Sequence, residues 1–258
     1  MKIVETNDIA IYPTKQTIDR PLGLPKVFAD KNSCYIISGA QGSGKSSWIQ
    51  SAMTCRKPNG CIFSGKFHKV FYATPEECFT SEANHPFKDH PKSRVFHDFN
   101  VEMLDSVVEQ ALKLKHEHKG NSCLIIDDFS EELKHPATIT RLKKIINKHR
   151  HYHLTIIISA LSLKFIPKTI RGLIDYYILF KPKGLIELET FTEEVFGLNR
   201  KTMMKVLNFV FDVQYNFLLY DQRKNYFYKN FDRLNLSGED GVLESVSDTV
   251  PPPPPKKN

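Results

Sequence analysis

The sequence predicts an α/β fold with a central, mainly parallel sheet flanked by helices and an antiparallel hairpin on its C-terminal edge. Three observations predict it. Short apolar runs of strand length recur between helical patterns, as in consecutive βαβ units. One such run, Ser33 to Ser38, ends in Gly39-Ala40-Gln41-Gly42-Ser43-Gly44-Lys45-Ser46-Ser47, a G-x-x-x-x-G-K-S motif with a helical pattern (Trp48, Ile49, Met53) directly after it. A later run, Ser122 to Ile126, ends in two acids, Asp127 and Asp128.

The glycine-rich segment is a P-loop in the context that a P-loop requires. Its glycines let the backbone curl, so successive N–H groups point inward at an anion. Residues 39–47 are therefore the nucleotide-binding set. Lys45 reaches the β- and γ-phosphates, Ser46 ligates Mg²⁺, and the following helix offers its positive end. The acidic pair supplies the rest of the chemistry. Asp127 holds the metal's water shell opposite Ser46, and Asp128 stands where a general base is needed.

Bulk properties set the bounds. The chain has 258 residues, enough for one α/β domain with a small appendage. A net charge of +7 fits a polyanionic partner, and plain solubility explains it equally well. No apolar run approaches a membrane span, and the N-terminus does not read as a signal peptide. The five cysteines lack C-x-x-C spacing, and Cys34 and Cys123 fall in core strands, so all are expected as reduced thiols.

In chain order, residues 1–32 read as an edge strand or hairpin (Ile9 to Tyr12) and a connector. The P-loop helix stops near Pro58 and Gly60. Lys69 to Thr74 is a second strand, and residues 79–93 are a loop. Val95-Phe96 is a brief strand, and Val101 to His118 an amphipathic helix. A helix with Ile139, Leu142, Ile145 and Ile146 on one side carries Arg141, Lys143, Lys144, Lys148 and Arg150 on the other. Leu154 to Ser159 is the fourth strand, a short helix carries Arg171, and Tyr176 to Phe180 is the fifth. Residues 190–212 are helical with a break at 197–199, and residues 217–220 with 226–228 form the edge hairpin. Residues 33–236 make up the ATPase domain. From Ser237 an acidic, disordered tail closes in Pro251 to Pro255. The alternation of His149, His151 and His153 invites a metal reading, which is set aside because no carboxylate or cysteine nearby in sequence completes the ligands.

Strand order narrows the class. A whole strand, Lys69 to Thr74, separates the P-loop strand from the acid-tipped strand, and another follows. With right-handed crossovers the acid-tipped strand stands away from the P-loop strand. That is the RecA-like (ASCE) arrangement of ATPases that hydrolyse with a second carboxylate. No N-K-x-D of a GTPase and no arginine-rich lid of a nucleotide kinase is evident.

Several segments carry a resemblance: residues 38–46, Ile125 to Phe129, Lys148-His149-Arg150-His151-Tyr152-His153, Phe165-Ile166-Pro167-Lys168-Thr169-Ile170-Arg171, and Lys229-Asn230-Phe231-Asp232. Through them the chain resembles the viral genome-packaging ATPases of the FtsK–HerA superfamily, the type found in poxviruses, other large DNA viruses and virophages. The resemblance implies an ATP- and Mg²⁺-driven translocase of double-stranded DNA, built as a pentameric or hexameric ring. It further implies docking on a capsid portal or vertex, in host-cell cytoplasm at the site of assembly and transiently with the virion, without a membrane. One departure stands out: where the family often has a phosphate-sensing glutamine after strand 4, this chain has Leu161. Ser159, at the strand tip beside the acids, is the expected substitute, with Ser162 the other candidate. Arg150 and Arg171 precede strands 4 and 5, so each belongs to the edge away from its own phosphates and could reach a neighbour's. Lys143, Lys144, Lys164 and Lys168 are candidate DNA contacts. The alternative readings are a non-motor P-loop enzyme (a replication helicase-like ATPase or a nucleotide kinase) and a nucleotide-gated scaffold.

Overall fold

The computed structural model describes residues 20–55, 62–81, 85–118, 120–182, 184, 192, 195–236 and 244–246. In chain order the elements are β1 (Cys34–Ser38), α1 (Lys45–Thr54), β2 (Lys69–Ala73), α2 (Glu76–Ser81), β3 (Val95–Phe96), α3 (Val101–His118), β4 (Ser122–Ile126) and α4 (Pro136–Lys148). They continue with β5 (Leu154–Ala160), α5 (Lys168–Arg171), β6 (Tyr176–Phe180), α6 (Arg200–Val210), β7 (Phe217–Asp221), β8 (Tyr226–Lys229), β9 (Asp232–Asn235) and β10 (Glu244–Val246).

All strands join one 10-stranded sheet in the order β10-β9-β8-β7-β6-β1-β5-β4-β2-β3. From β6 to β3 every pair is parallel, and from β6 to β10 every pair is antiparallel. As the strand order predicts, β5 lies between the P-loop strand β1 and the acid-tipped strand β4. The parallel strands read as unbroken apolar runs because both their faces are covered. Alternate residues divide between two cores. Cys34 and Ile36 of β1 face Leu104, Val107, Leu142 and Ile145 of α3 and α4, together with Met203 and Val206 of α6. Tyr35 and Ile37 face Trp48 and Ile49 of α1, together with Phe28 and Phe63.

The antiparallel wing is wider than the hairpin expected from sequence. Two further strands, β9 and β10, follow β8. The first was hidden because Asp232-Arg233-Leu234-Asn235 carries one buried apolar side chain, too few to show a period. The second, Glu244–Val246, lies inside the stretch expected to be a disordered tail, and its backbone pairs with β9. The polyproline end, the Ile9 to Tyr12 strand and the helix stop at Pro58 and Gly60 lie outside the described residues. Of the N-terminal connector, residues 20–32 are described, and the Asp30 carboxylate caps them by accepting the N–H groups of Leu22, Gly23 and Leu24. Asn199 caps α6 through the Thr202 N–H at 2.8 Å, which explains the expected helical break just before it.

The edge of the sheet away from the P-loop is closed by a partly buried charge network. Asp175, just before β6, accepts the Cys34 N–H at 2.8 Å and two bonds from the Arg223 guanidinium, at 2.6 and 2.5 Å. His149 lies beside them, its nitrogens 2.6 Å from the Ile146 carbonyl and 3.2 Å from that of Asn32. Folding therefore does bring a cysteine and a carboxylate to one of the histidines, with Cys34, His149 and Asp175 within 4.8 Å of one another. The His149 nitrogens are engaged by backbone carbonyls and the Asp175 carboxylate by Arg223 and the Cys34 N–H, so the cluster is an internal lock that pins β1, β6 and the β7–β8 turn together. Burial pushes the His149 pKa down, which keeps the ring neutral.

Candidate nucleotide site at the C-terminal edge of the sheet

The C-terminal tips of β1, β4 and β5 converge, and the predicted residues gather there. The P-loop leaves β1 and folds against β5, Gly39 N–H donating to the Ala160 carbonyl at 3.3 Å. Two glycines are dictated by geometry. A Cβ on Gly39 would lie 2.5 Å from Ser43 Oγ and 2.7 Å from Phe180 Cβ, and Gly44 sits at φ +106°, a conformation L side chains rarely adopt. Ser43 N–H closes the turn on the Ala40 carbonyl at 3.1 Å, and α1 then starts at Lys45. Gln41, Gly42, Ser46 and Ser47 are solvent-facing, and Gly42 is also left-handed, at φ 74. Lys45 is buried, its Nζ donating to the carbonyls of Gly39 at 2.8 Å and Ala40 at 3.2 Å. The ammonium is thereby stored over the cradle, one side-chain rotation from an incoming phosphate.

Asp127 emerges from β4, its N–H bonded to the Ala73 carbonyl at 2.8 Å. Its carboxylate is buried and divided in use. Oδ2 accepts from Tyr72 Oη at 3.0 Å, whereas Oδ1 has no hydrogen-bond partner among the described residues. The Tyr72 hydroxyl is oriented in turn. His85 Nδ1 accepts the Phe87 N–H at 3.2 Å, so in the neutral ring Nε2 carries the proton and donates to Tyr72 Oη at 3.2 Å. The β4–β5 register pairs Ile126 with Ile158, so one residue further on Asp127 stands beside Ser159. The Ser159 hydroxyl is likewise buried without a hydrogen-bond partner.

A hydrated divalent cation fits this donor set. An orphaned carboxylate oxygen and an orphaned hydroxyl, both buried, face the side of the sheet on which α1 begins with Lys45 and Ser46. Ser46 would ligate the ion directly and Asp127 would hold it through its waters. Of the two serines weighed against Leu161, Ser162 spends its hydroxyl capping Lys164 N–H at 3.4 Å, and Leu161 offers only its N–H, to Ser130 Oγ at 3.5 Å. Ser159 is the one beside the acids.

Asp128 turns away from the strand at φ 64, a left-handed conformation unusual for a non-glycine residue at a strand tip. That turn aims its half-buried carboxyl off the β4 axis. Burial raises its pKa above the ordinary carboxylate value and the Asp127 charge adds to the rise, while Lys45 opposes both. The thiol of Cys78, at the start of α2, is 3.9 Å from Oδ2.

The arginines part company. Arg150, half-buried, sits in the turn that enters β5, at the edge away from the P-loop. Arg171 closes the short α5. The four-residue α5 lies across the sheet face covered by α3 and α4, with Ile170 buried, and Arg171 Nη1 doubles back to the Leu163 carbonyl at 2.8 Å.

Sequence reasoning missed Tyr72 and His85. The signal available was a tyrosine at an inward position of a buried strand, which needs a partner for its hydroxyl. Tyr72→Phe is expected to weaken Mn²⁺ binding in the presence of nucleotide about 10- to 100-fold, read by electron paramagnetic resonance, and to leave nucleotide affinity in EDTA unchanged.

Solved structures share this architecture. The DNA-packaging ATPase B204 of Sulfolobus turreted icosahedral virus matches with a TM-score of 0.57 at 18% identity, over 76% of this chain and 95% of its own. The chain has the fold of this packaging ATPase. The genome packaging NTPase B204 of Sulfolobus turreted icosahedral virus 2 matches in complex with sulfate (TM-score 0.56, 18% identity, 76% of this chain and 94% of that one). In complex with ATP-gammaS it matches with a TM-score of 0.53 at 16% identity, over 77% and 96%. No protein-family model matches the sequence, and no curated protein is significantly similar to it. Among the described residues no helix is long and apolar enough to cross a membrane.

Proposed function

We propose that the chain is an ATP-driven, homo-oligomeric motor that moves double-stranded DNA into a viral capsid. The observation that carries the reading is a set of candidate groups divided between two edges of the sheet. One edge of the sheet holds the phosphate cradle, Lys45, the metal-side acid Asp127 and the second acid Asp128. The positive charge that a phosphoryl transition state needs beyond Lys45 has its best candidate, Arg150, at the opposite edge. A ring of subunits brings the two edges together. The shared fold with packaging ATPases, at 16–18% identity, supports the same direction.

The chemistry follows from the side chains. The P-loop N–H groups and the start of α1 bind the β- and γ-phosphates, and Lys45 leaves the Gly39 and Ala40 carbonyls to join them. Mg²⁺, when bound, neutralises charge on the β- and γ-oxygens. Tyr72 holds Asp127 Oδ2, leaving Oδ1 as the atom that would accept from the water of a bound Mg²⁺. Asp128 accepts the proton of the attacking water, and Ser159 orients that water where a glutamine would otherwise do so. Arg150 of a neighbouring subunit, with Arg171 as the second candidate, stabilises the charge on the transferred phosphoryl group. The exposed lysines Lys143, Lys144, Lys164 and Lys168 are the proposed DNA contacts. The proposed setting is the site of virus assembly, with a capsid portal or vertex as the docking partner.

The test is ATP hydrolysis with and without duplex DNA over a salt series. Duplex DNA is expected to stimulate turnover at low salt and to lose affinity steeply as salt rises, because each phosphate contact releases counterions. Absence of both binding and stimulation would remove the motor reading. Transfer of phosphate to a nucleoside monophosphate in a coupled assay would replace it with a kinase.

A further inference from the structure

A cavity of about 640 Å³ runs from the P-loop along α1 toward the antiparallel wing, and the phosphate cradle accounts only for its mouth. Its inner wall is aromatic. Trp48 and Phe217 meet edge to face at 6.2 Å, and Phe217 and Phe231 do so at 5.3 Å. At the rim, Tyr215 is 61% exposed and Phe231 40%, large apolar side chains that the fold leaves in solvent. Tyr215 is held at φ 68. A bulky residue there is strained, and such strain persists only where the surroundings enforce it.

The enforcement is visible. Asn216 Nδ2 donates to Asp212 Oδ1 at 3.0 Å, and Asn230 Nδ2 donates to Asn216 Oδ1 at 3.1 Å. Asn230 Oδ1 accepts the Phe217 N–H at 3.1 Å, and Asn230 is itself left-handed at φ 57. These bonds fasten the turn that carries Tyr215 to the turn that carries Phe231. The Tyr215 ring comes so close to the cradle that a Cβ on Gly44 would meet its Cδ1 at 3.5 Å.

We propose that Tyr215 and Phe231 grip the base of the bound nucleotide in this cavity, taking a purine without reading which purine it is. The proposal rests on nucleoside triphosphate binding at the P-loop, which fixes where the base must leave the cradle. The volume falls within the range of small-ligand sites. Stacking on aromatic rings is indifferent to ring substituents. No Asp, Glu, Asn or Gln side chain lines the cavity among the described residues, and the hydroxyls along α1 are those of Ser46, Ser47 and Ser51. A hydroxyl can accept from the amino group of adenine or donate to the carbonyl of guanine. Discrimination of 10,000-fold or so needs a fixed polar partner that the wrong base leaves unpaired, and the described lining side chains supply none.

Calorimetric titration of the full chain with ATP, GTP and inorganic tripolyphosphate tests this, using wild type, Tyr215→Ala, Tyr215→Phe and Lys45→Ala. ATP and GTP are expected to bind wild type within about tenfold of each other. Tyr215→Ala is expected to weaken both about 5- to 150-fold and to leave tripolyphosphate unchanged, while Tyr215→Phe behaves as wild type. Unaltered nucleotide affinity in Tyr215→Ala, a parallel loss of tripolyphosphate affinity, or GTP bound more than tenfold more weakly than ATP each overturns the proposal. Failure of the P-loop reading itself looks different. In that case ATP and tripolyphosphate bind wild type no better than Lys45→Ala.

Discussion

Asp128→Asn is expected to cut steady-state ATP turnover about 100- to 10,000-fold, the range a positioned general base contributes, while ATP binding stays near wild type. The substitution keeps the shape and the left-handed backbone of the residue and removes only its capacity to take a proton. A structural role for the carboxyl predicts the reverse pattern, with turnover kept and stability lost. Stability itself gives a second readout in metal-free protein. Burial and the Asp127 charge raise the Asp128 pKa in the folded state, so its ionised form is disfavoured there. The stabilising contribution of the protonated acid is complete below the unfolded-state pKa and disappears as pH rises through the higher folded-state value. At pH 7 the native chain bears that penalty and Asp128→Asn does not. The variant should therefore melt at a higher temperature at pH 7, with the difference fading as pH falls into the carboxylate range. Equal melting temperatures across that range would mean that the two acids do not burden each other, and turnover retained within tenfold would take Asp128 out of the catalytic role.

Arg150→Ala is expected to lower turnover about 1,000- to 100,000-fold if it acts as an arginine finger in trans, with nucleotide affinity changed far less. Position alone does not distinguish a finger from a residue that merely supports the β5 entry, but mixing does. Arg150→Ala subunits keep an intact Asp128, and Asp128→Asn subunits keep an intact Arg150. In a mixed assembly some interfaces combine the good half of each, so two nearly inactive proteins should recover activity on mixing. No recovery, with assembly verified by light scattering, would return Arg150 to its own subunit. The same cross with Arg171→Ala is the natural comparison, because the Arg171 guanidinium is already turned to the Leu163 carbonyl of its own chain.

What could be read from sequence and what could not divides on a physical line. The cradle was legible because its function lies in one continuous stretch of backbone. Gly39 to Ser47 curl, present N–H groups and start a helix within nine consecutive residues. The acid pair was legible because an apolar run fixes a buried strand, and whatever follows the run must stand at its tip. Even the separation of β4 from β1 followed from strand order, since crossover handedness leaves few ways to lay the chain down. The weak points were segments in which apolar spacing carries no period. The β9 strand, with Leu234 as its single buried side chain, is one of them.

Side chains that act together across the sheet had no such signature. Tyr72 meets Asp127, and His85 meets Tyr72, because β2 and β4 pair in one register and not another. Cys34, His149 and Asp175 converge from three separate segments, which spacing along the chain gave no means to anticipate. Trp48 and Tyr215 line one cavity because the antiparallel wing closes beside α1. The sequence by itself determined where the glycine-rich turn forms and which acids stand at the tip of β4, since short-range backbone geometry and burial suffice for both. Tertiary structure alone decided which oxygen of Asp127 stays open and which aromatics wall the cavity, since each depends on strand register and on the packing of elements remote in sequence.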